Sequence, residues 1–302
     1  MRSRIYLWTA VAVALAGLVP AGPAVAQIEG NLSSYTGQNA EGYLKPLQEG
    51  FGAALHSGIF RSAYIPVEGF HVNVEVKTML VDFGDDDRTF DAETEAGFFP
   101  DDPGVTSYEA PTVIGDTTAV RVDGQSGTVA YFPGGFDVGS IGVAVPQITI
   151  GSFRGTQGIF RYIALDTGDA ELGDLSLIGL GARHSISQYL QDSPVDLAAM
   201  VFWQNFKLGD DLVDATALTL GVQASRQYSA FEPYLGIAYD SFGMTVDYES
   251  EAAAEKLSVD FETESNLHIT AGLGINFSVV HLHGEISTSS QTSYAVGLSV
   301  GN

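Results

Sequence analysis

The sequence predicts an all-β protein: an antiparallel, up-and-down transmembrane β-barrel of about 10–14 strands behind a short, partly helical N-terminal segment. Three observations lead there. Apolar and polar residues alternate along 257–300, an export signal opens the chain, and acidic residues gather in every second connection. Successive strand side chains point to opposite faces, so each alternating segment has one apolar face and one polar or small face. A soluble β-sandwich shows the same alternation, so charge and address must decide what the apolar face meets.

Met1 to Ala26 reads as a secretory signal: Arg2 and Arg4 begin it, Ile5 to Val19 is the apolar run, and Ala24-Val25-Ala26 precedes a cleavage site before Gln27. The apolar run is short for a spanning helix, which needs about 20 residues, and no second such run follows. The 302-residue chain has 13 Lys+Arg against 37 Asp+Glu, and without Arg2 and Arg4 the count is 11 cations against 37 acids, a net −26. Nucleic acid is excluded as a partner on that balance, because phosphate binding needs clustered cations. The absence of Cys excludes disulfide staples and thiol chemistry. Gly at 35 residues, charge at 17% and aromatics at 11% suit a barrel with small lumen residues and an aromatic-rich outside.

Residues 27–69 form the N-terminal segment. Tyr43/Leu44, Leu47, Phe51 and Leu55 recur at helical spacing, but Pro46 and three glycines allow at best a short or broken helix. The segment is either a periplasmic lead-in or a hatch tucked into the barrel mouth. The barrel occupies 70–302. Phe70, Val72, Val74, Val76 and Leu80 form one face of its first strand, and His71, Asn73, Glu75 and Lys77 the other. A long outer-loop insertion follows at about 83–137, within which Thr117–Val122 and Thr128–Phe132, joined around Gly124 to Gly127, form a hairpin. Later strands fall at about 138–150, 155–165, 174–186, 195–207, 213–226, 231–247, 257–276, 279–288 and 291–300.

In a spanning barrel, alternate connections lie on alternate sides of the membrane. One side has 83–137, 166–173, 208–212, 248–256 and 289–290. Four of these five are acidic, through Asp85 to Asp87, Asp166 to Glu171, Asp210-Asp211, and Glu249 to Glu255. The other side has 151–154, 187–194, 227–230 and 277–278, shorter on average, with the single acid Asp192. Long outer loops and short periplasmic turns are the outer-membrane pattern, whereas a sandwich has no reason to sort charge by parity. Trp203 and Phe206, Tyr239 and Phe242, Tyr228 and Phe231, and Phe277 fall near strand ends, where interfacial girdles would put them.

Gly42-Tyr-Leu-Lys-Pro-Leu, Gly52-Ala-Ala-Leu-His-Ser-Gly58, Gly69-Phe-His-Val-Asn-Val, Thr89-Phe90, Pro111-Thr-Val-Ile-Gly115, Pro146-Gln-Ile, Gly155-Thr-Gln, Phe160-Arg161-Tyr162 and Gly179-Leu-Gly-Ala-Arg183-His184-Ser-Ile run in matching order through most of the chain. In them the protein resembles a family of uncharacterised bacterial outer-membrane-type proteins, defined as a domain of unknown function. That resemblance implies an exported β-rich barrel and no established activity. A more distant similarity is to long-chain fatty-acid transporter (FadL-like) barrels, which also place an N-terminal hatch before the barrel; it is architectural analogy. One departure from barrels of this type is the final strand, which ends Val300-Gly301-Asn302 rather than in an aromatic residue.

His281-x-His283-x-Glu285 sits at strand spacing on one face, and a hairpin near Asn276 to Ser278 would bring His268 opposite Glu285 or Ser287. Imidazoles and a carboxylate so placed can bind a transition metal. No fourth ligand is visible, so no metal is assigned, and the set is read as a lumen-facing polar cluster. Arg161 and Arg183 join it, paired with carboxylates such as Glu75 or Asp240. Asp82, Asp85, Asp86 and Asp87 are a weak calcium candidate without EF-hand spacing. Enzyme signatures are missing: Gly124 to Gly127 is one residue short of a nucleophile elbow, no H-E-x-x-H occurs, and Gly179-x-Gly181 lacks the third glycine of a dinucleotide loop.

These readings give an outer-membrane protein of a Gram-negative-type bacterium that has no cofactor and passively handles a small, hydrophobic molecule. The basis is that such a barrel encloses more volume than small lumen residues fill. Its partners would be outer-membrane lipid, the barrel-assembly machinery and that ligand; the sequence leaves oligomeric state open. The alternatives are a non-transporting surface barrel whose acidic loops bind cations or a partner, and a soluble secreted β-sandwich.

Overall fold

The computed structural model describes residues 31–32, 34–35, 37–102, 104–166, 174–209, 212–250 and 255–301, with the side chains of 248–250, 255–257 and 262–265 left aside. The export signal lies outside these residues, as do the acidic runs at 167–171, 210–211 and 251.

Ten antiparallel strands close into a barrel. They are β1 (Glu68–Asp82), β6 (Ser140–Phe153), β7 (Thr156–Asp166), β8 (Asp174–Ser185), β9 (Asp196–Leu208), β10 (Val213–Ser225), β11 (Phe231–Ser250), β12 (Glu255–Phe277), β13 (Val280–Thr288) and β14 (Thr292–Gly301). Neighbours in sequence are neighbours in the sheet, and β1 pairs with both β6 and β14 to leave no free edge. The observed strand number is thus at the low end of the expected range. Closure satisfies every strand edge internally, which is what a barrel in hydrocarbon requires.

Each strand turns its apolar set outward. Phe70, Val74 and Leu80 on β1, Leu267, Ile269 and Leu273 on β12, and Val296, Leu298 and Val300 on β14 are all exposed. From Phe70 to Leu80, at about 3.4 Å per residue and about 40° tilt, this band stands about 25 Å tall, the height of the apolar band on outer-membrane barrels. No described helix is long and apolar enough to cross a membrane. Of the aromatics expected at interfaces, Trp203, Tyr228, Phe231, Tyr239 and Phe277 face outward. Phe206 and Phe242 instead turn inward and are buried. Both sit at even positions of strands whose odd positions face out, so the pleat decides, and Phe206 packs on Phe51 with ring centroids 5.2 Å apart.

The connections alternate between two mouths, and the difference in length between them comes from the one insertion at 83–139; the others are ten residues or fewer at both, the longest of them, 186–195, at the mouth with the shorter turns. These are called the long-loop and short-turn mouths. The insertion, between β1 and β6, builds two hairpins: β2 (Thr89–Glu93) with β3 (Ser107–Pro111), and β4 (Val120–Gly124) with β5 (Thr128–Phe132). The second starts three residues later than its sequence signal. The first lacks a tight Gly-containing turn signal, and the sequence did not show it.

Inside the barrel runs the N-terminal segment, led by α1 (Gln38–His56), an unbroken 19-residue helix despite Pro46. The sequence argued for a broken helix; packing overrides propensity here. A Cβ on Gly42 would lie 2.4 Å from Phe90, and one on Gly50 2.8 Å from Phe83. These glycines are therefore points of close approach between the helix and its surroundings rather than helix breakers. The start of the segment meets the long-loop insertion: Asn39 Nδ2 donates to Glu93 O at 2.7 Å, and Tyr43 Oη to Gly134 O at 3.2 Å. Burial pushes the Tyr43 phenol up to about 12, so it remains a donor. After His56 the chain leaves the helix, crosses the rest of the lumen and enters β1 at the short-turn mouth, where Gly155 N donates to Val67 O at 2.9 Å. The described residues of the segment thus lie within the barrel from the long-loop mouth to the short-turn mouth. The expectation of spare lumen volume is also corrected, because α1 and the stretch after it occupy the space the small wall residues leave.

Candidate functional site: the lumen wall and the threaded segment

The inward faces of the strands change character along their length. On β1, His71, Asn73, Glu75 and Lys77 give way to Met79 and Val81. On β11, Glu232 and Asp240 give way to Phe242, Met244 and Val246. On these two strands the polar end lies toward the short-turn mouth, and that half also holds a smaller apolar cluster in which Ile59 and Phe60 meet Ile159, Met200, Phe202, Tyr234 and Ala238. In the apolar layer around the helix, Leu44 and Leu55 of α1 meet Met79, Val145, Leu177, Phe206 and Phe242 of the wall. Below it lies a layer of buried charge.

That charged layer centres on Glu75. His283 Nε2 lies 3.0 Å from both Lys77 Nζ and Glu75 Oε1, Lys77 Nζ is 3.6 Å from Glu75 Oε1, and Gln147 Nε2 donates to Glu75 Oε2 at 3.0 Å. The threaded segment adds a cation of its own: Arg61 Nη1 lies 3.7 Å from Glu75 Oε2 and donates to Asn73 Oδ1 at 3.3 Å. A buried carboxylate this well supplied with donors and cations avoids the penalty of an isolated charge. A second carboxylate, Asp240, is flanked by two imidazoles. His268 Nδ1 lies 2.9 Å away on the wall, and His56 Nδ1 lies 3.4 Å away at the end of α1.

Expected site residues are only partly brought together. His283 and Glu285 are in the buried layer, but His281 sits near the short-turn mouth and pairs with Asn276 at 2.8 Å. His268 does not face Glu285. The β12–β13 register puts Thr270 opposite Ser287, so His268 is displaced one step toward the long-loop mouth and turns to Asp240 on β11. The imidazoles therefore serve separate carboxylates rather than a common ion. Arg161 and Arg183 do lie inside, but not as direct ion pairs. Arg161 Nε donates to Gln147 Oε1 at 2.7 Å, with its guanidinium 4.9 Å from the Phe202 ring centroid, and Arg183 Nη2 donates to Gln157 Oε1 at 2.8 Å. Asp85 to Asp87 form a single 3-10 turn in which Asp87 accepts from Gly84 N and from Gln291 Nε2. Among the described residues no group of three or more His, Asp or Glu is arranged to hold a metal ion, Asp82, Asp85, Asp86 and Asp87 included.

What the sequence reading missed is how the wall holds the threaded segment. Gln204 Nε2 donates to Leu55 O at 2.5 Å, Glu285 Oε1 accepts from Gly58 N at 2.6 Å, and Arg161 Nη2 donates to Gly58 O at 2.5 Å. Further along, Gln223 Nε2 and Arg183 Nη1 donate to Ser62 O at 3.0 and 3.2 Å, and Ser225 Oγ accepts from Ala63 N at 2.8 Å. Gln147, Gln204 and Gln223, all on inward positions, were the available signal: amides have no reason to face a dry core without partners.

The chain belongs to a family of unknown function (DUF6588), whose model matches residues 1–302. No curated protein matches it. Solved structures that resemble it include outer-membrane proteins of low identity. The transport unit of the autotransporter AIDA-I from Escherichia coli is 9% identical, with a TM-score of 0.32, covering 84% of this chain and 97% of that one. The outer membrane protease OmpT from Escherichia coli is 8% identical, with a TM-score of 0.31 and coverage of 79% and 97%. The toluene transporter TbuX from Ralstonia pickettii is 10% identical, with a TM-score of 0.24 and coverage of 84% and 98%. Identity at this level carries nothing about activity.

Proposed function

We propose that this protein is a non-enzymatic outer-membrane barrel whose lumen is closed at rest by its own N-terminal segment and passes a small molecule when that segment is displaced. The observation that carries the reading is the contrast between helix and coil inside the lumen. Residues 57–67 cross the short-turn half as irregular backbone, and polar wall side chains, not apolar contacts alone, hold them. Such contacts can be exchanged for water, so withdrawal of the segment leaves a wettable passage rather than a collapsed core. The outward apolar band and the closed sheet support a place in a bilayer, with the long loops outward and lipid as the main partner. The polar wall favours a small polar solute over a hydrophobic one.

Planar-bilayer recording tests this. The wild-type protein should be silent or open rarely, and Arg161→Met, which removes the grip on Gly58 O, should raise the frequency of stable single-channel steps. Silence of both, with the variant folded, would favour the second reading, a surface barrel that does not transport. The packed apolar layer around α1 is the feature that speaks for that alternative.

A further inference from the structure

We infer that the short-turn half of the lumen is a binding site for a peptide main chain, with the protein's own residues 55–63, the end of α1 and the irregular stretch after it, as its resident occupant. This rests on the gated-barrel reading and names the class of ligand for the same lumen. Side chains of the segment could have filled the space alone. Instead the wall directs Gln204, Glu285, Arg161, Gln223, Arg183 and Ser225 at main-chain atoms of Leu55, Gly58, Ser62 and Ala63. Any peptide offers those atoms, so the contacts select for polypeptide over sugars, lipids or ions.

Two features narrow the sequence such a site accepts. Gly58 is held at φ +67°, and a Cβ there would lie 3.4 Å from Ala295, Lys77 and Met79; a left-handed conformation favours glycine. Both its peptide groups are gripped, the N–H by Glu285 and the C=O by Arg161. Two residues later Phe60 is fully buried. It lies over two glycines of the wall, where a Cβ on Gly236 would come within 2.6 Å of its ring and one on Gly221 within 3.1 Å. Its ring meets His268 edge-on at 5.7 Å between centroids. The pocket is an aromatic slot made by leaving side chains out of the wall. The ligand is thus a peptide carrying Gly-x-aromatic, with its glycine in the left-handed conformation.

The test uses the full chain with a specific protease site inserted after Gly69 and with Phe60→Ala to weaken the resident segment. After cleavage in detergent, a dye-labelled peptide of residues 54–65 is titrated in and followed by fluorescence anisotropy. Saturable binding is expected. N-methylation at Gly58, Phe60→Ser in the peptide, and Gln204→Ala in the wall should each weaken it by about tenfold or more. No binding, or equal binding of all three peptides, overturns the inference. Conductance of the same cut protein separates the two proposals. Open channels that no peptide binds or blocks would sink the peptide site and keep the conduit; peptide binding without any current would do the reverse. If the cut protein does not stay folded, hydrogen exchange in the uncut wild-type chain decides. Slow exchange of the Gly58 and Ala63 amides supports the wall's grip on the main chain, and exchange at free-peptide rates overturns it.

Discussion

The two halves of the lumen solve the same packing problem in opposite ways. Near the long-loop mouth, α1 seats its own Leu44 and Leu55 against Met79, Phe206 and Phe242 of the wall and is roofed by the two inserted hairpins. Near the short-turn mouth, an irregular chain is suspended by hydrogen bonds in a layer containing Glu75, Lys77, Arg161, Arg183 and Glu285, all of them buried. A helix meets its own backbone needs, so its surroundings can be apolar. An irregular chain cannot, and in a closed space its polar groups must be met by the wall. The lesson is that the backbone geometry of the threaded segment dictates where this barrel keeps its charges.

Breaking the polar half should produce the largest effect. Arg161→Met strips Gln147, Gln204 and Gly58 O of a buried charged donor, and at about 1.5–3 kcal/mol for a hydrogen bond to a charged group the loss should come to about 3–5 kcal/mol. Urea titration of the folded form should report that loss, together with more frequent channel opening. In the apolar half, Phe206→Ala should cost about as much or slightly less, about 3–4 kcal/mol, yet should add no channel openings. If it opens the pore as readily as Arg161→Met, the division between a gate and its anchor is wrong. Tyr43→Phe removes two neutral hydrogen bonds, the one donated to Gly134 O and the one accepted from Asn31 Nδ2, and should cost about 1–2 kcal/mol in the same titration. Outside both halves, Lys207 and Asp214 form an exposed pair at 2.8 Å. Lys207→Ala should shift stability by less than about 0.5 kcal/mol, a control that the other losses belong to the lumen.

Threading itself can be checked without an energy scale. The sequence has no Cys, so a single cysteine reports its own side of the membrane. Ser34 is exposed near the long-loop mouth and Gly69 near the short-turn mouth. In intact cells an impermeant thiol reagent should label Ser34→Cys and spare Gly69→Cys. Labelling of the second alone would invert the orientation proposed for the barrel.

Alternation alone fixed the strands, their faces and the parity of the loops, because a period of two survives whatever the strand pairs with. On β1 the sequence separated Val74 and Leu80 from Glu75 and Lys77, and the structure keeps that division. What it could not supply was the partner of each inward side chain. Residue type pairs Arg161 with a carboxylate, yet it holds a glycine carbonyl; spacing sets His268 opposite Glu285 or Ser287, yet it turns to Asp240. Those pairings depend on strand register and on a segment about a hundred residues or more away in sequence, and neither leaves a local trace. The helix is the clearest case. Its glycines and Pro46 weaken it in isolation, and only the aromatic side chains of Phe83, Phe90 and Phe242, delivered by distant strands, make those glycines the residues that fit.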